Sequence, residues 1–374
     1  MSGRIAVGEL KAHGPRDRLT LHRERARRGR DPLVTQQFVA PPARAALFLV
    51  LTVNEGSEEV VRDVLADLSS ITRSVSFRVP DDQLNCVLGI GAEFWDRMFS
   101  LPRPQGLHPF VPLDGPRHSA PSTPGDLLLH VRAHHMDVCF ELSRQVMDRL
   151  RGHAQVVDET HGFKYFDERD LLGFVDGTEN PEGAAAPAAV LIADEDPAYA
   201  GGSYIIVQKY RHDLASWGAL SVEEQERVIG RSKLEDVEMP DAVKPINSHV
   251  HLNTIVDADG VQRQILRDNM PFGELGTDEF GTYFIGYAAD PGVIEQMLRN
   301  MFLGSPPGNT DRILDFSTAH TGTLFFAPAL DFLDDVPPGR GAEIADTAAV
   351  GETPVADAAA TDLGIGGLRT SDVR

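Results

Sequence analysis

The segment at residues 46–53, ALFLVLTV, decides the fold class together with the stretch that follows it. A short and almost unbroken apolar run of this length is typical of a buried β-strand. The next stretch has apolar residues spaced three or four apart, which places one apolar stripe on a helix: Val61, Val64, Leu65, Leu68 and Ile71. The folded part of the chain is therefore predicted to begin near Ala45, with a strand and an amphipathic helix.

This strand-helix pair recurs along both halves of the chain. Further strands are predicted at residues 85–89, 127–133, 204–209, 282–287 and 323–327. Helices are predicted at residues 92–99, beyond residue 133, after a capping box that begins at Ser221, and after Asp290. Repeated units of this kind predict an α+β fold of two sandwiches, each with an antiparallel sheet and helices on one face. No glycine-rich phosphate loop follows a predicted strand, which disfavours nucleotide binding.

The composition is that of an acidic globular protein. The 374 residues carry a formal net charge of −21, which argues against nucleic acid or an anionic membrane as a partner. No apolar run approaches the length of a membrane span. The two cysteines, Cys86 and Cys139, lie in apolar sequence, which fits reduced thiols in the cytoplasm better than a disulfide scaffold.

The two ends of the chain differ in composition from the part between them. Residues 1–32 carry nine Lys or Arg against four Asp or Glu, whereas the residues from 334 onward carry eight acids against three arginines. Both ends are predicted to be disordered, and the first one has no secretory signal. The predicted organisation is a basic leader at 1–40, two halves at 41–180 and 181–333, and an acidic tail at 334–374.

Residues 247–272, NSHVHLNTIVDADGVQRQILRDNMPF, concentrate side chains that carry chemistry. They are predicted to form two short strands joined by a turn at residues 257–260. Because side chains alternate along a strand, His249 and His251 are expected to share one face, and Arg267 and Asn269 another. Such pairs in apolar surroundings indicate a bound ligand. A zinc site is the alternative, although no third His or Cys lies at metal spacing nearby.

Residues 173–181, GFVDGTENP, form the second polar motif. Glycines at 173 and 177 permit positive φ angles, so Asp176 is expected on a tight turn. A plain Asx-turn carboxylate is the alternative, and an EF-hand is excluded because its alternating ligands are absent. Apolar residues on both sides of Arg267 predict that its guanidinium is buried, and Asp176 is its expected anionic partner.

Together these motifs resemble the dye-decolourising peroxidase family, and more closely its B-type bacterial branch. The resemblance covers residues 45–330 and rests on GFVDGTENP, on NSHV at 247–250 and on RDNMPF at 267–272. It implies a duplicated ferredoxin-like fold (the dimeric α+β barrel) with antiparallel sheets and haem b between the halves. It also implies a homo-oligomeric oxidoreductase that reduces hydrogen peroxide and oxidises dyes or other aromatic reductants by one-electron steps.

The resemblance assigns roles to single residues. His249 is implied as the proximal ligand of the haem iron, and Asp311 in NTDRILDF as the carboxylate that hydrogen-bonds its ring. Asp176, Arg267 and Asn269 are implied on the distal side, where peroxide must lose a proton while charge develops on its departing oxygen. Removing Arg267 is expected to slow peroxide activation more than removing Asp176.

The haem edge is less well matched to the family pattern. Arg231 in GRSKL is implied as a partner of a haem propionate. Some B-type relatives oxidise manganese at a carboxylate cluster near this edge, and Glu179 and Glu238 match part of such a cluster. Gln262 stands where a third carboxylate is expected, so manganese oxidation is left open.

The segment at residues 363–369, LGIGGLR, resembles the targeting peptide that docks peroxidase cargo inside encapsulin shells. Leu363, Ile365 and Leu368 would fill pockets of the shell protein, and the glycines allow a close extended fit. The resemblance thus implies an encapsulin shell protein as a partner and a cytoplasmic location inside an encapsulin nanocompartment. A low-complexity end without a function is the alternative.

Two other functions stay open at this point. A non-enzymatic haem carrier needs the same iron ligand but no distal arginine. The chlorite-decomposing enzymes share the fold and a distal arginine, but the GFVDG segment is not theirs. Trp95, Trp217 and the tyrosines are candidates for passing electrons from bulky reductants, although core packing is the favoured role for each.

Overall fold

The computed structural model describes residues 34–337 and residue 339. The strands of this part are β1 (Ala45–Val53), β2 (Asn85–Gly91), β3 (Leu113–Asp114), β4 (Ser119–Ala120), β5 (Leu127–Ala133), β6 (Ala154–Phe163), β7 (Ser203–His212), β8 (Ile255–Val256), β9 (Gln262–Arg263), β10 (Leu266–Arg267), β11 (Met270–Glu274), β12 (Glu279–Ala288), β13 (Ser317–Ala319) and β14 (Thr323–Ala327). The helices are α1 (Glu58–Ser76), α2 (Ala92–Met98), α3 (Met136–Arg149), α4 (Ala185–Val190), α5 (Leu214–Gly218), α6 (Val222–Ile229), α7 (His249–Asn253), α8 (Pro291–Phe302) and α9 (Leu330–Asp334).

The two halves have the same strand order, which confirms the predicted duplicated ferredoxin-like fold. The four main strands of the first half lie in the order β6-β1-β5-β2, and those of the second half in the order β14-β7-β12-β10, with β11 also paired to β12. All pairs in this sheet are antiparallel. The halves join where β14 pairs with β2, so one sheet runs through the whole domain.

The sheet curves so that its far edges approach each other. Gly162 of β6 lies so close to Met270 of β11 that a Cβ atom added at the glycine would be 2.4 Å from the Met270 Cβ. A side chain at position 162 would therefore push these two strands apart. The result is the α+β barrel that the family resemblance implied, with one continuous sheet in place of the two separate sheets predicted from the residue pattern.

Large side chains fill the interior of this barrel. The ring of Phe48 stacks between those of Tyr283 and His130, with centroid distances of 4.1 and 4.6 Å. Phe325 and Tyr287 belong to the same buried cluster. A barrel interior packed in this way offers no room for a large cofactor.

Helices cover the outer face of the sheet. In the first half, α1 and α3 place their apolar stripes on the strands, and all five residues predicted for the first stripe are among those that α1 buries. The two thiols are free: Cys139 is buried and Cys86 partly buried, and burial raises the pKa of each to about 12. Trp95 and Trp217 are both buried, in agreement with core packing.

The predicted leader extends too far into the folded part. Phe38 is only 2% exposed, and the side-chain amide of Gln36 donates to the carbonyl oxygens of Leu88 and Pro328 at 3.0 and 2.9 Å. Residues 34–40 therefore pack on the domain, because Gln36 satisfies backbone groups and Phe38 joins the barrel cluster. Residues 1–33, and the tail apart from residues 334–337 and 339, lie outside the described part.

Membrane insertion finds no support in the described residues. None of their helices combines the length and the apolar character that a membrane span requires.

Candidate active site

A cavity of about 1120 Å³, including its open mouth, lies on the outer face of the second half. Every lining residue falls between Asp170 and Ser317. The resemblance implied haem between the two halves, and packed side chains close the barrel interior. The cavity lies between the segment at 170–179, which the predicted boundary at residue 180 assigned to the first half, and strands β7, β10 and β12 with helices α7 and α8 of the second half.

His249 reaches the cavity from a helix and not from a strand. Residues 249–253 form α7, whose N-cap is Ser248, with its hydroxyl accepting from the His251 backbone N–H at 3.4 Å. The predicted first strand of the hairpin is therefore wrong in this part, and only Ile255–Val256 pairs with Gln262–Arg263. Because residues two apart on a helix point in different directions, His249 lines the cavity whereas His251 is exposed.

A buried carboxylate holds the imidazole of His249. The Nδ1 atom of His249 lies 2.8 Å from Oδ2 of Asp311, which is fully buried. The other oxygen, Oδ1, accepts from the backbone N–H of Ile313 at 3.0 Å. Since a carboxylate can only accept here, Nδ1 carries the proton and Nε2 keeps its lone pair free for a metal.

Asp176 lies on a turn whose shape depends on two glycines. Gly173 and Gly177 have φ angles of +90° and +84°, as the sequence predicted. The backbone N–H of Asp176 donates to the carbonyl oxygen of Glu168 at 2.9 Å, and its carboxylate accepts from the side chain of Asn269. The turn therefore presents this carboxylate to the cavity in a fixed direction.

Asn180 ties this turn to the strand that carries Arg267, a role that the sequence analysis did not assign. Its Oδ1 accepts from the backbone N–H of Arg267 at 2.9 Å, and its Nδ2 donates to the carbonyl oxygen of Arg267 at 2.7 Å. The side-chain amide of Asn180 pairs with the Arg267 backbone as a neighbouring strand would. Because the two residues are 87 apart in the sequence, no local pattern predicts this contact. The position of Asn180 in GFVDGTENP was the only indication.

Arg267 and Asn269 both line the cavity, as the alternation along a strand predicted. Asn269 donates to Oδ1 of Asp176 at 3.1 Å and accepts from the backbone N–H of Ile285 at 3.1 Å. The side chain of Asn269 is therefore held at both of its ends.

The guanidinium of Arg267 differs from the prediction, because it makes no ion pair with Asp176 among the described residues. Its Nε is buried and has no hydrogen-bond partner there. Burial lowers the pKa of Arg267, while the charges of Asp176 and Glu179 act in the opposite direction. The carboxylate of Asp176 accepts instead from the Asn269 amide at 3.1 Å, and the Arg267 side chain lines the cavity without this ion pair.

Arg231 also lines the cavity, but it already has carboxylate partners. Its Nη1 lies 2.8 Å from Glu179, and its Nε lies 2.8 Å from Asp236. An incoming anion would have to share Arg231 with these two acids.

Two further titratable residues of the cavity were missed. Burial, together with the charge of Asp176, raises the pKa of Asp170 to about 7, although the backbone N–H of Phe174 donates to this carboxyl group at 3.0 Å. Burial lowers the pKa of His212 to about 4, and its ring nitrogens contact hydroxyl groups of Ser317 and Thr282. Asp170 precedes a turn and His212 ends a strand among polar residues, so neither position gave a reason to select it.

The zinc alternative receives no support from the residues at 34–337 and 339. No group of three or more His, Cys, Asp or Glu side chains there is arranged to hold a metal ion. Glu238 pairs with Lys244 and also lies 3.8 Å from Nη1 of Arg231, and Gln262 lines a smaller neighbouring pocket together with His249. Leu363, Ile365 and Leu368 fall outside the described residues.

Known proteins resemble this chain over most of its length. Residues 36–164 match the family model described as Dyp-type peroxidase, N-terminal, and residues 167–332 match Dyp-type peroxidase, C-terminal. A dye-decolorizing peroxidase from Rhodococcus erythropolis (strain PR4 / NBRC 100887) is 58% identical over 340 residues, which cover 91% of this chain and 98% of that protein.

Solved structures extend the likeness to the fold. The cryo-EM structure of the encapsulated DyP-type peroxidase from Mycobacterium smegmatis has a TM-score of 0.81 at 60% identity, covering 82% of this chain and 99% of that one. A DypB variant from Rhodococcus jostii RHA1 in complex with heme has a TM-score of 0.79 at 58% identity, covering 82% of this chain and 100% of that one.

Proposed function

This chain belongs to the Dyp-type peroxidase family, and we propose that its cavity holds haem b with His249 as the iron ligand and Arg267 on the side where peroxide binds. The protein is a haem-dependent oxidoreductase of the dye-decolourising type. It reduces hydrogen peroxide and oxidises dyes or other aromatic reductants. Haem, when bound, supplies the redox chemistry, which is the two-electron reduction of peroxide followed by one-electron oxidations of the reductant.

The residues present fit this cofactor. The lining of the cavity combines aliphatic side chains such as Ile294 and Met297 with a few polar groups, as is usual for cofactor sites. His249 offers an unprotonated Nε2, and the buried Nε of Arg267 lacks a partner among the described residues. Buried polar atoms normally have partners, so an unpaired donor in a cavity wall indicates a ligand that completes it.

On the proximal side, the hydrogen bond from His249 to Asp311 fixes the tautomer and makes Nε2 more basic. Asn253 supports this arrangement, because its side-chain amide donates to the carbonyl oxygen of His249 at 2.8 Å. A more basic ligand favours cleavage of the peroxide O–O bond.

On the distal side, the three polar residues have different tasks. Arg267 stabilises the negative charge that develops on the departing oxygen, since a preorganised donor in a site shielded from water interacts strongly with it. Asp176 takes the proton from one peroxide oxygen and returns it to the other, and Asn269 holds its carboxylate in place. Arg231 would hold a haem propionate at the cavity edge, and the propionate would share this guanidinium with Glu179 and Asp236.

The single observation that carries the proposal is the 2.8 Å contact between His249 and fully buried Asp311 on the wall of a cavity that also contains Arg267. The test is an absorption spectrum of the purified protein with a peroxide titration. A Soret band that responds to peroxide and returns when a dye is added is the expected result. A protein that cannot be loaded with haem would overturn the proposal.

The proposed partner is an encapsulin shell, entered through the tail residues Leu363, Ile365 and Leu368. The support is the resemblance of LGIGGLR to cargo peptides and the encapsulated state of the relative from Mycobacterium smegmatis. Co-expression with a shell protein, with and without residues 360–374, tests it. Loading should be lost in the truncated form, and equal loading of both forms would refute the docking role.

A further inference from the structure

Asp268 lies between Arg267 and Asn269 in the sequence, and its side chain points away from the cavity that these two residues line. Arg267 and Asn269 line the cavity, whereas the carboxylate of Asp268 pairs with the guanidinium of Arg132 on β5. Arg132 shares a strand face with Leu128, a member of the cluster inside the barrel. The short distal segment therefore faces peroxide on one side and the first half of the molecule on the other.

Arg132 is anchored independently of the segment that it holds. Its side chain is 3% exposed, and its Nη2 donates to the carbonyl oxygen of Gln37 at 2.6 Å. Strand β5 itself lies between β1 and β2. The guanidinium of Arg132 therefore has a defined position, and the carboxylate of Asp268 has to lie within reach of it.

The pair is strong enough to define this position. Burial alone would raise the pKa of Asp268, yet the charge of Arg132 brings it below the usual value. Breaking a buried pair on one side is strongly destabilising, because the other charge stays buried without compensation. Beyond the pair, the Asp268 N–H donates to the carbonyl oxygen of Ile285 at 3.1 Å, and Asn180 holds the backbone of the preceding residue, Arg267.

We propose that Asp268 is a positioning residue of the active site, whose ion pair with Arg132 sets the direction in which Arg267 and Asn269 face the cavity. Side chains alternate along an extended segment, so a rotation that releases Asp268 also turns its two neighbours away from peroxide. Strand β5 contributes no residue to the cavity lining, yet through Arg132 it thereby acts on the distal side. The inference rests on the proposed function only in calling these two residues distal.

The first test compares Asp268→Asn with Asp158→Asn as a matched control. Asp158 also forms an ion pair between the halves, 3.4 Å from Lys209, and its side chain is 15% exposed against 21% for Asp268. Fluoride binding to the ferric haem protein, read from the absorption spectrum, reports on distal donors without turnover. Asp268→Asn should raise the fluoride dissociation constant about tenfold or more, as expected when a preorganised donor is displaced, while the control stays within about twofold.

Hydrogen exchange provides a readout that does not depend on haem. Peptides covering residues 264–274 should exchange faster in Asp268→Asn than in the control, both with and without cofactor. Unchanged fluoride affinity, or unchanged exchange in this segment, would overturn the positioning role. Wild-type protein that fails to bind haem while the exchange difference persists would count against the proposed function alone.

A double variant keeps the test decisive when the single change impairs folding. Arg132→Met combined with Asp268→Leu removes both charges and keeps the site filled, an exchange that is often neutral or stabilising. Thermal stability should recover, while the fluoride affinity stays low because the directional contact is gone. Recovery of both would show that the pair only contributes stability and would refute the inference.

Discussion

The two halves use the same strand order but cover the outer face of the sheet in different ways. Between its first two strands the first half has α1, an unbroken helix of 19 residues, whereas the second half has α5, α6 and α7, with 5, 8 and 5 residues. The second crossover is a single helix in both halves, α3 with 14 residues and α8 with 12. The cavity thus lies in the half whose first long helix is replaced by short ones.

This difference shows how one architecture serves two purposes. A long amphipathic helix places an apolar side chain on the sheet at every turn and leaves no space. Short helices with separate caps leave a gap and bring polar residues to its wall, as Ser248 does by starting α7 directly at His249. The first half is therefore expected to respond to mutation through stability, and the second through chemistry.

The largest effect is expected at His249, where the short helix meets the cavity. His249→Ala should abolish the Soret band and peroxide turnover, because the iron loses its protein ligand. His251→Ala, on the exposed side of the same helix, serves as the matched control and should retain both. Spectra of the two purified variants decide the matter; loss of haem from the His251 variant would contradict the assignment.

Next in size is the contrast between the two distal groups. Arg267→Leu should slow the reaction with peroxide by about 10²–10³, because a preorganised cationic donor is removed. Asp176→Ala should cost less, since solvent can replace a proton carrier more easily than a buried charge. Stopped-flow absorption measures both rates, and equal or reversed losses would reject this ranking.

Mutation in the first half, which α1 covers, should change stability instead of activity. Leu65→Ala on α1 removes a side chain that is 3% exposed and should lower the free energy of unfolding by about 2–5 kcal/mol. The rate of peroxide reduction per bound haem should stay within about twofold of the wild type. Chemical denaturation and steady-state kinetics on the same preparation provide the check. A large change in this rate would show that packing in the first half also affects the chemistry at the cavity.

The smallest expected effect is the pH dependence caused by Asp170. Its pKa is raised to about 7 in the folded protein, so between roughly pH 4 and 7 the unfolded chain has released this proton while the native state keeps it. Asp170 therefore lowers stability progressively as the pH rises through this window. Asp170→Asn should raise the melting temperature at pH 8 by a few degrees relative to wild type, and by much less at pH 4.

Exposed Asp67 on α1 provides the control for this prediction. Asp67→Asn should shift the melting temperature equally at both pH values. If the melting temperature of the Asp170→Asn variant differs from that of the wild type by the same amount at pH 4 and pH 8, the raised pKa of Asp170 is contradicted.

Elements with strong periodicity could be predicted from the sequence. The strands at 127–133 and 323–327 have the predicted bounds, and the apolar stripe of α1 is buried as expected. Helix α7 could not be predicted from periodicity because five residues span little more than one turn. Ser248, its N-cap, was the sequence signal that could have indicated this helix, but the hairpin pattern of the neighbouring residues concealed it.

The site was predictable as a set of residues but not as a geometry. Motif spacing selected His249, Asp176, Arg267 and Asn269, and the structure brings all four to one cavity. Which face of the sheet stays open depends on how helices and barrel side chains fill space, and that is decided by long-range packing. The contacts of Asn180 with Arg267 and of Asp268 with Arg132 have the same origin.

The ladder between β14 and β2 limits how far the molecule can be reduced. A fragment that begins after β6 would retain every residue lining the cavity, yet it would leave β14 without its neighbour at Ile90 and Gly91. An uncovered strand edge invites pairing with other chains. A minimal catalyst therefore cannot be cut from the C-terminal part alone, and engineering for smaller size has to begin with surface loops instead of domain deletion.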